Sequence, residues 1–458
     1  MGGAGGAGDG TSECTAAPAR ATGPRAGGVQ AYYILLVAQA ISLLGSQISG
    51  LAVGIAVFRQ TGRATPLALV AFFSAAPRVL LGGIGGALAD RFDRRRIMLL
   101  ANVGYTLASG LLLASFASGA FQLWHLYALV LAGSLCAVVE APAFQASIVM
   151  LVPDGQRDRA NALGMIGGPV AGVLAPTLAG LLYAVIGVVG SISIDLLSFV
   201  VAIGALALIR IPMPAQTRDG RATRASVWLQ AFDGFRYLRA RPALLSLCAC
   251  FTVTNFFVFS AMVLDVPYLL DRTGSAAALG VVMGALNLGA VVGAIVMAVW
   301  AGTRPRIHTV MLGVTLVGAC LALAGVSRAA LCIGASLFML MFAVPFIEAA
   351  AMSIFQAKTA PDLQARVFAS IGQLTALLKP VAYLLAGPLA DQVFEPAMRA
   401  GLWPPFSGLV GAGKGAGIGL MFVIGGALTL LLSLVFYSLP AIRRIEARLP
   451  DHAADTAA

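Results

Sequence analysis

Long apolar runs separated by short polar joints dominate the chain from residue 31 to residue 439. A helix needs about 20 apolar residues to cross a hydrocarbon layer about 30 Å thick. Stretches of that length fall near 31–58, 67–89, 97–119, 124–150, 161–185, 188–209, 243–270, 277–301, 307–326, 331–357, 367–394 and 416–439. The pattern predicts an all-α membrane protein with twelve transmembrane helices. Gly and Pro recur inside the runs, as in Gly167-Gly168-Pro169 and Lys379-Pro380. Membrane helices accommodate them because neighbouring helices re-satisfy the freed backbone groups.

An internal repeat divides these spans into two six-helix halves. Pro169-Val170-Ala171, Leu174-Ala175 and Leu178-Ala179 return as Pro380-Val381-Ala382, Leu385-Ala386 and Leu389-Ala390, displaced by 211 residues. Glu140 precedes Pro153-Asp154 by 13 residues, as Glu348 precedes Pro361-Asp362. A six-plus-six duplication follows. The expected organisation is a tail at 1–29, a first half at 30–211, a linker at 212–241, a second half at 242–440 and a tail at 441–458. The first tail is rich in Gly, Ala and Pro, reads as disordered, and lacks the apolar core of a cleavable signal. In the linker, Trp228, Phe232, Phe235 and Leu238 stand at helical spacing among arginines. That spacing predicts an amphipathic helix on the cytoplasmic leaflet.

Charge orients the bundle. With a cytoplasmic N-terminus, inside segments hold 22 of the 30 Lys and Arg, including Arg91, Arg94, Arg95 and Arg96. The positive-inside rule then places both termini in the cytoplasm. Apolar residues make up 59% of the 458 positions, charged residues 11%, and the mean hydropathy is +0.91. These values exclude a soluble domain. The net charge of +11 is scattered over short loops and forms no continuous basic face, which argues against nucleic-acid binding. Scarce Lys, plentiful Arg and abundant Ala and Gly read as a GC-rich bacterial coding sequence, hence a bacterial cytoplasmic membrane. Five of the six cysteines lie in apolar spans with no His at metal-ligand spacing, and no P-loop appears. No metal, cofactor or enzymatic site is expected, and energy must come from an ion gradient.

Polar side chains at bilayer depth are costly and mark function. Glu140 lies ten residues from Met150, about 15 Å along a helix and near the midplane. Glu348, Arg78 and Lys379 fall at a similar depth. A carboxyl in an apolar cavity suits proton carriage; equally, Glu140 with Arg78 and Glu348 with Lys379 can form fixed ion pairs. Asp195, Asp265 and Asp391 lie nearer the outer ends of their spans and read first as capping or outer-gate groups, with Asp195 and Asp265 as further proton-coupling candidates. Ser46, Gln47 and Asn255 are candidates for lining a substrate cavity or for bonding between helices.

Gly85-Gly86-Ala87-Leu88-Ala89-Asp90-Arg91-Phe92-Asp93-Arg94-Arg95-Arg96 joins the second and third spans. It closely resembles the signature loop of the major facilitator superfamily, Gly-x-x-x-Asp-Arg-x-Gly-Arg-Arg, with Asp93 in place of the usual Gly. The resemblance implies that Asp90 and Arg91 latch the two halves on the cytoplasmic side, with Gly86, Arg94 and Arg95 completing the gate motif. The Asp93 variant resembles the branch of macrolide-efflux and siderophore-export permeases. So do Arg159-Ala160-Asn161-Ala162-Leu163, Asp195 with Ser198-Phe199, and Gly387-Pro388-Leu389-Ala390-Asp391. Gly168-Pro169-Val170-Ala171-Gly172 is similar to the antiporter motif Gly-Pro-x-x-Gly, and otherwise reads as a Pro kink packed by small residues. In the superfamily the first, fourth, seventh and tenth helices line the central cavity, which would place Glu140 and Glu348 there. The resemblance implies a monomeric, proton-coupled exporter of small apolar or amphipathic compounds such as macrolides. Siderophore export, or lipid or metabolite transport by the same fold, are the alternatives, ahead of a membrane sensor or enzyme.

Overall fold

A computed structural model describes residues 28–153, 156–209, 235–300, 302–360 and 363–448. The first four spans are Val29–Thr61, Thr65–Arg91, Arg94–Ala117 and Leu123–Leu151. Next comes one element, Arg157–Leu208, of 52 residues. At 1.5 Å per residue it is about 78 Å long, more than twice the hydrocarbon thickness. Gly187, at φ 67° and ψ −167°, turns the chain back within it. Only a residue without Cβ adopts that conformation readily, so a single glycine separates the fifth span at 157–186 from the sixth at 188–208. The seventh to tenth spans are Pro242–Thr273, Ala276–Trp300, Arg306–Val326 and Ala330–Ala357, and the twelfth is Ala416–Ser438. Among the described residues, eleven helical elements are long and apolar enough to cross a membrane; with one of them folded at Gly187, they give twelve spans.

The eleventh span departs from the single helix expected at 367–394. It is built from Gln364–Ala376, Lys379–Leu389, a π turn at Ala390–Phe394 and Glu395–Arg399. Pro380 has no N–H to give to the preceding turn, so the helix breaks in front of it. Carbonyls freed at the break find partners across the interface with the seventh span. Thr252 Oγ1 donates to Leu374 O at 3.1 Å, and Asn255 Nδ2 to Thr375 O at 3.3 Å.

Buried side chains form one large cluster shared by both halves and separate clusters confined to each. The shared cluster joins Val53, Phe58 and Leu67 to Leu264, Tyr268, Ala386 and Phe422, at the ends of the spans remote from Arg91 and Arg94–Arg96. At the arginine-rich face, Tyr32, Met98 and Leu206 pack within the first half, and Leu244, Ile307 and Ile354 within the second. The fifth and eighth spans approach closely over their remote portions: a Cβ on Gly180 would lie 2.5 Å from Ala276 O, and one on Gly172 2.8 Å from Asn287 Oδ1. The halves therefore meet at the face opposite the arginines and part towards the arginine-rich face.

Trp228 and Phe232 lie outside the described residues. Residues 235–239 are helical, and Leu238 is fully buried in the core of the second half, where lipid contact had been expected. Tyr237 Oη donates to Lys358 O at 2.9 Å, which ties this segment down. The final turns dock on the same core through Ile442 and Ile445, and Glu446 accepts from Ile307 N at 3.2 Å.

Candidate transport cavity

Two confluent cavities occupy the first half's inner wall. The larger, about 810 Å³, lies towards the arginine-rich face and is lined by Gln39, Ser42, Arg78, Glu140 and Gln145. The smaller, about 470 Å³, lies towards the opposite face and includes Ser49, Val53, Leu67, Asp195 and the second-half residues Val263 and Val266. They share Ser46, Ser74, Tyr105, Gly133 and Phe199.

Helical periodicity explains the first-span contribution. Gln39, Ser42, Ser46, Ser49 and Val53 recur every three or four residues and so form one stripe along the cavity. Gln47, rotated about 100° from Ser46, is not among the lining residues of either cavity. Asn255 is not among them either; its amide serves the broken eleventh span.

Glu140 is 9% exposed, and its carboxylate rests in a cradle of neutral donors. Oε1 accepts from Gln39 Nε2 at 3.3 Å and from Asn102 Nδ2 at 3.1 Å; Oε2 accepts from Tyr105 Oη at 2.8 Å. Tyr105 is fixed in turn by stacking on Phe199, with ring centroids 5.3 Å apart. Asp195 is 6% exposed and accepts from Ser46 Oγ and Ser109 Oγ, each at 2.8 Å. Asn102, Tyr105 and Ser109 lie on one face of the third span, again at spacings of three and four. These partners, with Gln39, escaped the sequence reading. The polar stripes on the first and third spans were the signal that could have found them.

Of the two readings open for the midplane charges, the ion pairs are not formed among the described residues. Arg78 lines the larger cavity but makes no ion pair with Glu140 among the described residues. Lys379 Nζ sits 4.5 Å from the Phe259 ring centroid and 5.9 Å from that of Tyr383, a cation–π arrangement. Glu348 is exposed and has no hydrogen bond or ion pair among the described residues. Asp265 is 2% exposed, and its Oδ1 has no hydrogen-bond partner among them.

The gate motif divides into parts with different contacts. The side chains of Gly86 and Asp90 lie outside the described residues, and Arg91 is exposed beside the Phe92 ring. Asp93 caps the third span by accepting from Arg95 N at 2.9 Å, which accounts for an acid where the family pattern has Gly. Arg94 donates to Ala146 O at 2.9 Å, and Arg95 to Leu206 O and Ala207 O at 3.0 Å each. Both arginines thus bind backbone carbonyls inside the first half. In the fifth span the helix continues through Pro169. A Cβ on Gly172 would meet the Asn287 side-chain amide at 2.8 Å, whereas a Cβ on Gly168 would meet nothing within 4 Å.

A family model for the Major Facilitator Superfamily matches residues 35–382. Macrolide efflux protein A of Streptococcus pyogenes is 23% identical over 424 residues, covering 91% of this chain and 97% of its own. Enterobactin exporter EntS of Salmonella typhimurium is 26% identical over 273 residues, or 58% of this chain and 63% of its own. Among solved structures, a bacterial homolog of the human lysosomal transporter Spinster, inward-facing and unoccupied, aligns with a TM-score of 0.71 at 16% identity. That alignment covers 92% of this chain and 98% of the other. The nucleoside transporter NupG aligns at 0.65 and 12% identity, covering 90% and 99%. At these identities the structural likeness shows the fold.

Proposed function

Because the chain belongs to the major facilitator superfamily and is a membrane transporter rather than an enzyme, we propose that it exports small apolar or amphipathic compounds in exchange for protons, by alternating access. The arginine-rich face is cytoplasmic in this reading, and the membrane is the bacterial cytoplasmic membrane. Macrolide-like compounds are the first candidates, a choice supported by the similarity to macrolide efflux protein A along nearly the whole chain.

One observation carries the proton assignment. Glu140 borders the cavity while every hydrogen bond to it among the described residues comes from a neutral group. A carboxyl so placed can gain or lose a proton without breaking an ion pair, and the bundle keeps its packing in both forms. Asp195 lies deeper, towards the opposite face, and Tyr105 borders both cavities. A proton entering from outside meets Asp195 first and Glu140 second. A cationic or bulky substrate arriving from the cytoplasm then competes with the proton on Glu140.

The test is a drug-susceptibility panel on cells with and without the gene, followed by transport in inside-out vesicles with an imposed proton gradient. Macrolides should be tolerated better by expressing cells, and collapsing the gradient should stop accumulation. Equal susceptibility across the panel, or accumulation indifferent to the gradient, overturns the reading. A topology reporter at Pro404 should read external.

A further inference from the structure

The second span begins without a cap of its own. Its N-cap residue, Ala64, has no side-chain acceptor, and Pro66 has no N–H. Asp391, at the far end of the eleventh span, takes that place from the other half of the molecule. Its Oδ1 accepts from Ala64 N at 2.9 Å, and its Oδ2 from Thr65 N at 2.7 Å and Thr65 Oγ1 at 2.6 Å. A carboxylate at a helix N-terminus gains both the unpaired amides and the helix dipole. Gly387, one turn earlier, makes room: a Cβ there would lie 2.7 Å from Ala68 Cβ and from Thr65 Cα.

The sequence around Asp391 occurs twice. Gly-x-Leu-Ala-Asp stands at Gly86–Asp90 and again at Gly387–Asp391. The first copy ends the second span on the arginine-rich face; the second lies on the opposite face, against the start of that same span. Superfamily halves are built from inverted three-helix repeats, so the second and eleventh spans are equivalent elements of opposite orientation. The same pentapeptide therefore appears once at each face.

We propose that Asp391 is a transport residue that sets which face is closed: it holds the second and eleventh spans together while the face opposite the arginines is shut, and must release the second span for that face to open. The amides it binds lie at a helix end, where water can replace it on release. Alternating access requires such a reversible bond, and a covalent or deeply buried contact would not serve. The proposal goes beyond proton coupling and holds whichever ion drives transport and whichever face is cytoplasmic.

The test uses the full chain in lipid nanodiscs, where reagent reaches both faces, with a polar maleimide as probe and labelling read by peptide mass. Val53→Cys reports the smaller cavity, towards the closed face, and Gln145→Cys the larger cavity, towards the arginine-rich face. Adding Asp391→Ala should raise labelling at Val53→Cys about tenfold, equivalent to about 1.4 kcal/mol in the balance of states, while labelling at Gln145→Cys stays level or falls. Thr65→Val, which removes one of three donors, should raise it less. Gly387→Ala should act in the same direction by forcing the spans apart, and keeps the proposal testable if Asp391→Ala fails to fold. Unchanged labelling at Val53→Cys in these variants overturns the proposal. A rise at both cysteines also overturns it, because that marks a loosened fold and not a shifted balance.

Discussion

The two halves repeat a helical plan but not a chemistry. In the first, Glu140 and Asp195 are each held at a cavity wall by neutral donors drawn from the first and third spans. In the second, the repeat mate of Glu140, Glu348, is exposed and has no such cradle among the described residues, where one oxygen of the buried Asp265 also finds no partner. Duplication supplied acids at matching depth; only one copy acquired the polar stripes that hold an acid at the cavity wall. The difference fits the proposal that proton handling belongs to the first half, with the second half supplying the Asp391 contact that closes the opposite face.

Four substitutions probe this asymmetry. The largest effect is expected from Glu140→Gln, which keeps the shape of the side chain but cannot carry a proton. Gradient-driven accumulation in inside-out vesicles should fall to background while substrate exchange without a gradient continues. Asp195→Asn should lower gradient-driven transport by about two- to tenfold, since one of two proton stations is lost; an initial-rate assay measures it. Asp265→Val removes a buried polar group with an unpartnered oxygen and should raise stability by about 1–3 kcal/mol, seen as a higher thermal unfolding midpoint in detergent with transport retained. Glu348→Gln should alter initial rates within about twofold, because no described residue cradles its carboxyl as Gln39, Asn102 and Tyr105 cradle Glu140. A loss on Glu348→Gln matching that on Glu140→Gln would erase the contrast between the halves.

Much of the fold was legible because length and apolarity alone decide whether a segment spans a membrane. Even the turn between the fifth and sixth spans was bracketed by apolar runs ending at 185 and starting at 188. The break in the eleventh span was foreshadowed by Lys379-Pro380, although its repair by Thr252 and Asn255 was not. Depth along a helix can be counted from the sequence, and so Glu140, Asp195, Arg78 and Lys379 all emerged as candidates. Rotation about the helix and the identity of its neighbours cannot be counted in the same way. Depth alone therefore leaves an Arg78–Glu140 pair open where Gln39, Asn102 and Tyr105 are the partners, and it points to Gln47 while Gln39 faces the cavity. The charge of Arg94 and Arg95 gives a membrane face, and it does not reveal the carbonyls of Ala146, Leu206 and Ala207 that they bind.

The central claim, that Glu140 holds the exchanged proton, is tested most directly by measuring proton release. Purified protein in weakly buffered detergent is mixed with a compound that the susceptibility panel identifies as exported, and the pH change is followed. The wild type and Glu348→Gln should release protons on binding, and Glu140→Gln should bind the compound and release none. Undiminished release from Glu140→Gln would contradict the account.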